Sequence, residues 1–126
     1  MILLLIHVAL AAVPTKMPPD KEKGETLYRD NCWSCHGQDA LGDGPVAAAL
    51  SVSPPALAGQ ISEEEYDQAI EIILHGQGDM PAYSEIFDRP NARRILVWLA
   101  DLDPVTGQDP DEEDNESDSQ PTEDAE

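Results

Sequence analysis

Basic residues are scarce in this chain. Only 7 Lys and Arg stand against 26 Asp and Glu, a formal net charge of -19 over 126 residues. That argues against nucleic acid as a partner, because binding it depends on Lys and Arg neutralising phosphates. The acid is unevenly spread. Asp103 to Glu126 holds 11 acidic and no basic residues, leaving 15 acidic against 7 basic from Met1 to Leu102, a net of -8. Aromatics make up 5 % of the sequence, so a domain of about 85 residues has a thin core of its own. Long apolar runs are missing too. The run from Ile2 to Val13, broken by His7, is shorter than the ~20 residues a membrane-spanning helix takes. No internal repeat is visible, and no Ser-His-Asp or paired-carboxylate arrangement stands out. The Glu63-Glu64-Glu65 run reads as a solvated helix start favoured by the helix dipole.

Only two cysteines are present, and they lie together in Cys32-Trp33-Ser34-Cys35-His36. This is C-x-x-C-H, the pattern for covalent attachment of a c-type haem. Two thiols one turn apart can each form a thioether to one edge of the porphyrin. A histidine directly after the second thiol can then ligate the iron from the proximal side. Three other uses of such a pair compete. A dithiol redox site wants a βαβ context, and nothing nearby reads as a strand. A zinc site would draw on Cys32, Cys35, His36 and His75, but the second pair of ligands lacks zinc spacing. A disulfide across so short a loop is strained and stabilises little. Haem attachment is the reading adopted. An apolar cofactor would also make good the shortage of core.

The N-terminal run suits the apolar region of a secretory signal over residues 1–13, with Ala9-Leu10-Ala11 as the cleavage pattern and a mature start near Ala12. No Lys or Arg precedes it, which departs from the signal pattern, and a retained weak anchor is the alternative. Residues 14–19 form a Pro-rich linker containing Met17. A helix is expected from about Lys21 into Cys32, with Gly24, Leu27 and Tyr28 on one face. Gly24 costs a helix ~1 kcal/mol relative to Ala; it marks either a close backbone approach or a helix start. Gly42-Asp43-Gly44-Pro45 is a turn cluster, Val46 to Leu50 a short helical turn, and Ser53-Pro54-Pro55 its stop. The spacing predicts a helix over Gln60 to Leu74, with a Ser62/Glu65 capping box and an apolar face of Tyr66, Ala69, Ile70, Ile73 and Leu74. Gly76 fits its end, and His75 in its last turn complements the dipole. Met80-Pro81 lies in the loop Gln77 to Tyr83. Asp88 caps a last helix with Pro90 in its first turn and a stripe of Ala92, Ile95, Leu96, Trp98, Leu99 and Leu102. Residues 105–126 read as a disordered acidic tail.

In this order the pieces resemble class I c-type cytochromes, the small monohaem electron-transfer proteins. The matching residues are Gly24-x₃-Tyr28-x₃-Cys32-x-x-Cys35-His36-Gly37, then Gly42-Asp43-Gly44-Pro45. His75-Gly76 through Met80-Pro81-Ala82-Tyr83 follow, and the helix from Arg93 to Leu102 completes the match. The resemblance spans roughly Asp20 to Asp103, and the expected cytochrome c domain is residues 20–104. It implies an all-α, cytochrome c-like fold of three to five helices around one covalently bound haem c. It also implies that the first and last helices cross, setting Gly24 and Tyr28 against Ile95, Trp98 and Leu99. A loop proline carbonyl, with Pro45 the matching candidate, is implied to orient the His36 imidazole; Pro54 and Pro55 are close enough in sequence to compete.

Cys32 and Cys35 are thus expected to bind the haem and His36 to be one axial iron ligand. Met80, Met17 and His75 compete for the other. Met80 is expected, because Pro81 biases it towards extended backbone and its soft sulfur suits reduced iron. With both axial positions taken, the expected function is an electron carrier rather than an enzyme. It would be extracytoplasmic and monomeric, without a stable membrane span. Its redox partners would present a basic docking face. The alternatives are a haem-bearing subunit of a larger oxidoreductase and a gas-binding sensor with a labile sixth position.

Overall fold

The computed structural model describes residues 20–109. The expected signal, the linker with Met17, and the chain beyond Asp109 lie outside the described residues.

Four α-helices carry the fold, and among the described residues there is no β-strand. Helix α1 (Lys21–Asn31) begins where the Asp20 side chain accepts from the Lys23 N–H at 3.1 Å. A one-turn helix α2 (Trp33–His36) follows directly. Helix α3 (Tyr66–His75) is led in by a 3₁₀ turn over Glu63–Glu65. The expected Gln60-to-Leu74 helix therefore starts later than its apolar spacing suggested, at the capping box. There the Glu65 carboxylate accepts from the Ser62 N–H at 3.0 Å and the Ser62 hydroxyl at 2.8 Å. Helix α4 (Arg89–Asp101) has Asp88 as N-cap, accepting from the Asn91 N–H at 2.8 Å, and Pro90 in its first turn.

The core lies where α1 crosses α4. A Cβ on Gly24 would overlap the Arg94 carbonyl and crowd the Ile95 nitrogen, so the two backbones approach as only a glycine allows. Of the two local readings of Gly24, close approach is the correct one. Tyr28 meets Trp98 at 4.9 Å between ring centroids, tilted by 46°. Ile95, Leu96, Trp98 and Leu99 are buried on α4, and each such side chain contributes roughly 1.5–3 kcal/mol.

Helix α3 divides its apolar residues between two tasks. Tyr66, Ile70 and Leu74 are buried in the core. Ala69, Ile72 and Ile73 are only half-buried and turn to a cavity. On the far flank of α3, Arg89 reaches Asp67 and Glu71, and Arg93 reaches Glu63 at 2.8 Å.

The packed chain continues past Pro104, where the tail was expected to start. The Asp103 carboxylate accepts from the Val105 and Thr106 N–H groups, and Asp103 N–H donates to Gln108 O at 3.0 Å. Gly107 is buried against Asp39. Lys21 Nζ pairs with Asp101 at 2.6 Å and with Asp109 at 2.9 Å. The start of the acidic segment is thus bound to α1 through Lys21 and lies against Asp39.

Candidate haem site

One helical turn sets the proximal chemistry. Cys32 ends α1, its N–H donating to Tyr28 O at 2.8 Å, and α2 continues from it with His36 N–H donating to Cys32 O at 3.0 Å. Positions i, i+3 and i+4 of a helix share a face, so Cys32, Cys35 and His36 stand side by side on one cavity wall. The turn is held from behind. Tyr28 is fully buried, and its hydroxyl donates to Gly37 O at 2.7 Å. Burial is the main cause pushing the Tyr28 phenol above its ordinary value, so it remains a donor.

The two cysteines are free thiols. Burial first, and then the neighbouring Cys35, push the Cys32 thiol up to about 12. A reactive dithiol works the other way, with a depressed pKa, so the redox-pair reading loses support. Burial also lowers the pKa of His36, which favours the neutral imidazole that a metal requires. Its Nδ1 is buried and makes no hydrogen bond of ordinary geometry. The backbone group acting on the ring is that of Pro55, partly opposing the effect of burial.

Pro45, expected to orient His36, is exposed and forms no part of the cavity wall. The reason is local. Gly44 N–H bonds to Cys35 O and Val46 N–H to Ser34 O, which lays this stretch along the back of α2. The chain returns to the cavity only at residues 50–57, and Pro55 takes the place beside the ring.

The cavity measures about 630 Å³, within the ~300–1,000 Å³ usual for ligand sites. Its floor is α4, through Ile95, Leu96 and Leu99, and the half-buried face of α3 forms one side. Leu50, Leu57 and Ile61 are half-buried and line it too. Met80 lies in the wall contributed by residues 77–81. Its backbone exchanges two hydrogen bonds with Gln77, each 3.0 Å. His75 lies elsewhere. It is exposed at the end of α3, with Nε2 3.1 Å from Glu71, and is not in the wall. That agrees with the dipole reading and removes it from both the zinc set and the contest with Met80. Among the described residues, no group of three or more His, Cys, Asp and Glu could hold a metal ion.

These residues fit a haem c. Two free thiols, a neutral imidazole and a thioether line one apolar cavity, and half-buried isoleucines and leucines wait on an apolar body to cover them.

The comparisons agree. Residues 19–99 match the family described as cytochrome c oxidase, cbb3-type, subunit III. The chain belongs to this family. It is a monohaem c-type cytochrome domain with covalently bound haem c. A cbb3-type cytochrome c oxidase subunit CcoP from Azospirillum brasilense is 29% identical over 82 residues, covering 64% of this chain and 28% of that protein. Cytochrome c-551 from Bacillus subtilis (strain 168) is 30% identical over 87 residues, covering 69% of this chain and 68% of that one. Among solved structures, dihydro-heme d1 dehydrogenase NirN in complex with DHE superposes with a TM-score of 0.51 at 32% identity. The match covers 65% of this chain and 16% of that one. The cytochrome c-like, mostly helical fold is thus shared with structures of this kind. No helix among the described residues is long and apolar enough to cross a membrane.

The sequence reading held Pro55 only as a competitor of Pro45, and it missed two residues that shape the site, Ser51 and Asp79. Pro55 had a signal, the Pro54-Pro55 pair, but not one that separated it from Pro45. Ser51 and Asp79, hydrogen-bonded at the exposed edge of the cavity, had none.

Proposed function

We propose that this cytochrome c domain carries single electrons between redox proteins and catalyses no reaction of its own on a substrate. Cys32 and Cys35 would hold the haem through thioethers, and His36 and Met80 would ligate its iron. The observation that carries this reading is the convergence of these four side chains on one apolar cavity. Bound haem supplies an iron that cycles between two oxidation states. The chain's part is to keep the ligands unchanged through that cycle. The Tyr28–Gly37 bond holds the proximal turn, burial keeps His36 neutral, and the apolar walls exclude water. A thioether ligand favours the reduced state and a relatively high potential.

The net charge of -19 supports steering towards a basic docking face on the partner. The apolar run Ile2 to Val13 supports export from the cytoplasm, and the domain is read as a monomer making brief encounters. A second reading, a haem-bearing subunit of a larger oxidoreductase, draws support from the family description and from the relatives' length. The chain spans less than a third of the oxidase subunits it matches. A free carrier purifies alone, whereas a subunit co-purifies with its enzyme.

The test is the visible spectrum of holoprotein and of Met80→Ala. Oxidised protein should show the weak red-end absorption of iron–sulfur ligation. In the variant that band should vanish, the potential should fall, and reduced protein should bind CO. An unchanged spectrum in Met80→Ala overturns the ligand assignment.

A further inference from the structure

Met80 is the second of two hydrogen-bonded ends of a tight turn. Gln77 and Met80 exchange both backbone bonds, with Gly78 at φ 59° and Asp79 outside the left-handed region, the pattern of a type II′ turn. Such a turn moves as a unit, so whatever holds Asp79 holds Met80. The Asp79 carboxylate joins the neighbouring wall at the exposed edge of the cavity. It accepts from the Ser51 N–H at 2.6 Å and lies 3.4 Å from the Ser51 hydroxyl. Ser51 and Asp79 both line the cavity, each on its own wall. Among the described residues, no other hydrogen bond joins residues 51–56 to this turn. Downstream of Met80, the Tyr83 hydroxyl donates to Asn31 O at 3.0 Å. Met80 is therefore tethered on both sides, and the upstream tether rests on one exposed carboxylate.

We propose that Asp79 is a positioning residue for Met80. Its bond to Ser51 latches the wall formed by residues 50–55 to the Met80 turn and keeps the methionine sulfur within reach of the iron. The inference rests on the reading of Met80 as axial ligand. A hydrogen bond to a carboxylate is among the stronger kinds, and at 2.6 Å the backbone N–H carries the latch. An asparagine at 79 keeps an oxygen acceptor for that N–H; an alanine does not.

The experiment compares Asp79→Ala, Asp79→Asn and Met80→Ala in full-length holoprotein. The readouts are the red-end band of the oxidised form and the rate of CO binding to the reduced form. Asp79→Ala should weaken the band and speed CO binding by about tenfold, the expected loss for one charge-assisted hydrogen bond. Asp79→Asn should restore most of both. A purely structural role would lower the melting temperature while leaving band and CO rate alone, and that result overturns the latch. So does an Asp79→Asn variant as impaired as Asp79→Ala. Met80→Ala separates the two readings. If it abolishes the band while Asp79→Ala changes nothing, the latch alone fails. If it leaves the band intact, the ligand assignment fails and the latch with it.

Discussion

Where α1 crosses α4, the chain is held by many contacts of one kind. Gly24 lies against the Arg94 and Ile95 backbone, Tyr28 against Trp98, and Leu96 and Leu99 are buried nearby. The walls of the cavity are built differently. Residues 37–61 contain one 3₁₀ turn, and residues 77–83 a tight turn, held by irregular turn and loop hydrogen bonds rather than by a helical ladder. Ala40, Leu41 and Ala58 pack in or on the core, but Leu50 and Met80 line the cavity without joining it. The helix crossing thus supplies its own core, whereas the loop walls complete theirs only against the cofactor. The first should survive perturbations that dissolve the second.

Removing the haem should break this comparison most severely. Without haem, the half-buried Leu50, Leu57, Ile61, Ile72 and Ile73 that line the cavity would face water, each forgoing up to roughly 1.5–3 kcal/mol of burial. Several such losses are comparable with the ~5–15 kcal/mol that holds a whole domain together. The walls should therefore collapse or open. A Cys32→Ala/Cys35→Ala protein without haem should keep part of its far-ultraviolet helix signal and lose cooperative thermal unfolding. A cooperative transition within a few degrees of the holoprotein would show that the walls hold themselves.

The same division decides what the sequence revealed. Helix α4 was legible because Ala92, Ile95 and Leu99 repeat with the helical period, and that period is imposed by the face they bury. Cys32, Cys35 and His36 were legible because their chemistry demands one turn of helix. The loops carry no such period. Pro45, Pro54 and Pro55 look alike in sequence, and which one faces His36 depends on how far the chain travels along the back of α2 before returning. Ala40 adopts φ 55° while fully buried, its carbonyl accepting from both Leu57 and Ala58. Such backbone is usually signalled by glycine, and alanine gives no sign of it. The Ser51–Asp79 contact spans 28 positions and follows from the folded walls alone.

Gly24→Ala tests the robust half, with a smaller effect. Two terms oppose. Alanine should favour the helix by ~1 kcal/mol, while an added methyl against unyielding backbone costs ~1–3 kcal/mol. Because the obstructing atoms belong to Arg94 and Ile95 backbone, relief requires the helices to part along the buried Tyr28–Trp98 contact. The clash should win, with a net loss of up to about 2 kcal/mol in denaturant unfolding of holoprotein. A gain in stability would mean that the crossing tolerates separation and that tight approach is not its source of strength.

The turn over residues 103–109 gives the smallest effect and sharpens the comparison, because it is loop in form yet fastened to α1 through Lys21. The Asp103 carboxylate accepts from Thr106 N–H at 2.7 Å, Val105 N–H at 2.9 Å and the Thr106 hydroxyl at 3.1 Å. These bonds, led by that from Thr106 N–H, hold its pKa below the ordinary carboxylate value. The closed turn therefore binds the proton less readily than the open one. Its contribution is fully present above the usual carboxylate range and is lost as pH falls through the depressed pKa. The Val105 and Thr106 amide resonances should shift together at a pH below that of an ordinary aspartate, and Asp103→Ala should abolish the shift. Neither acid nor the substitution should alter the haem spectrum at that point, since the turn fastens to Lys21 and Asp39 rather than to the cavity wall. Amide resonances that titrate at the ordinary carboxylate value would mean that the carboxylate does not close the turn.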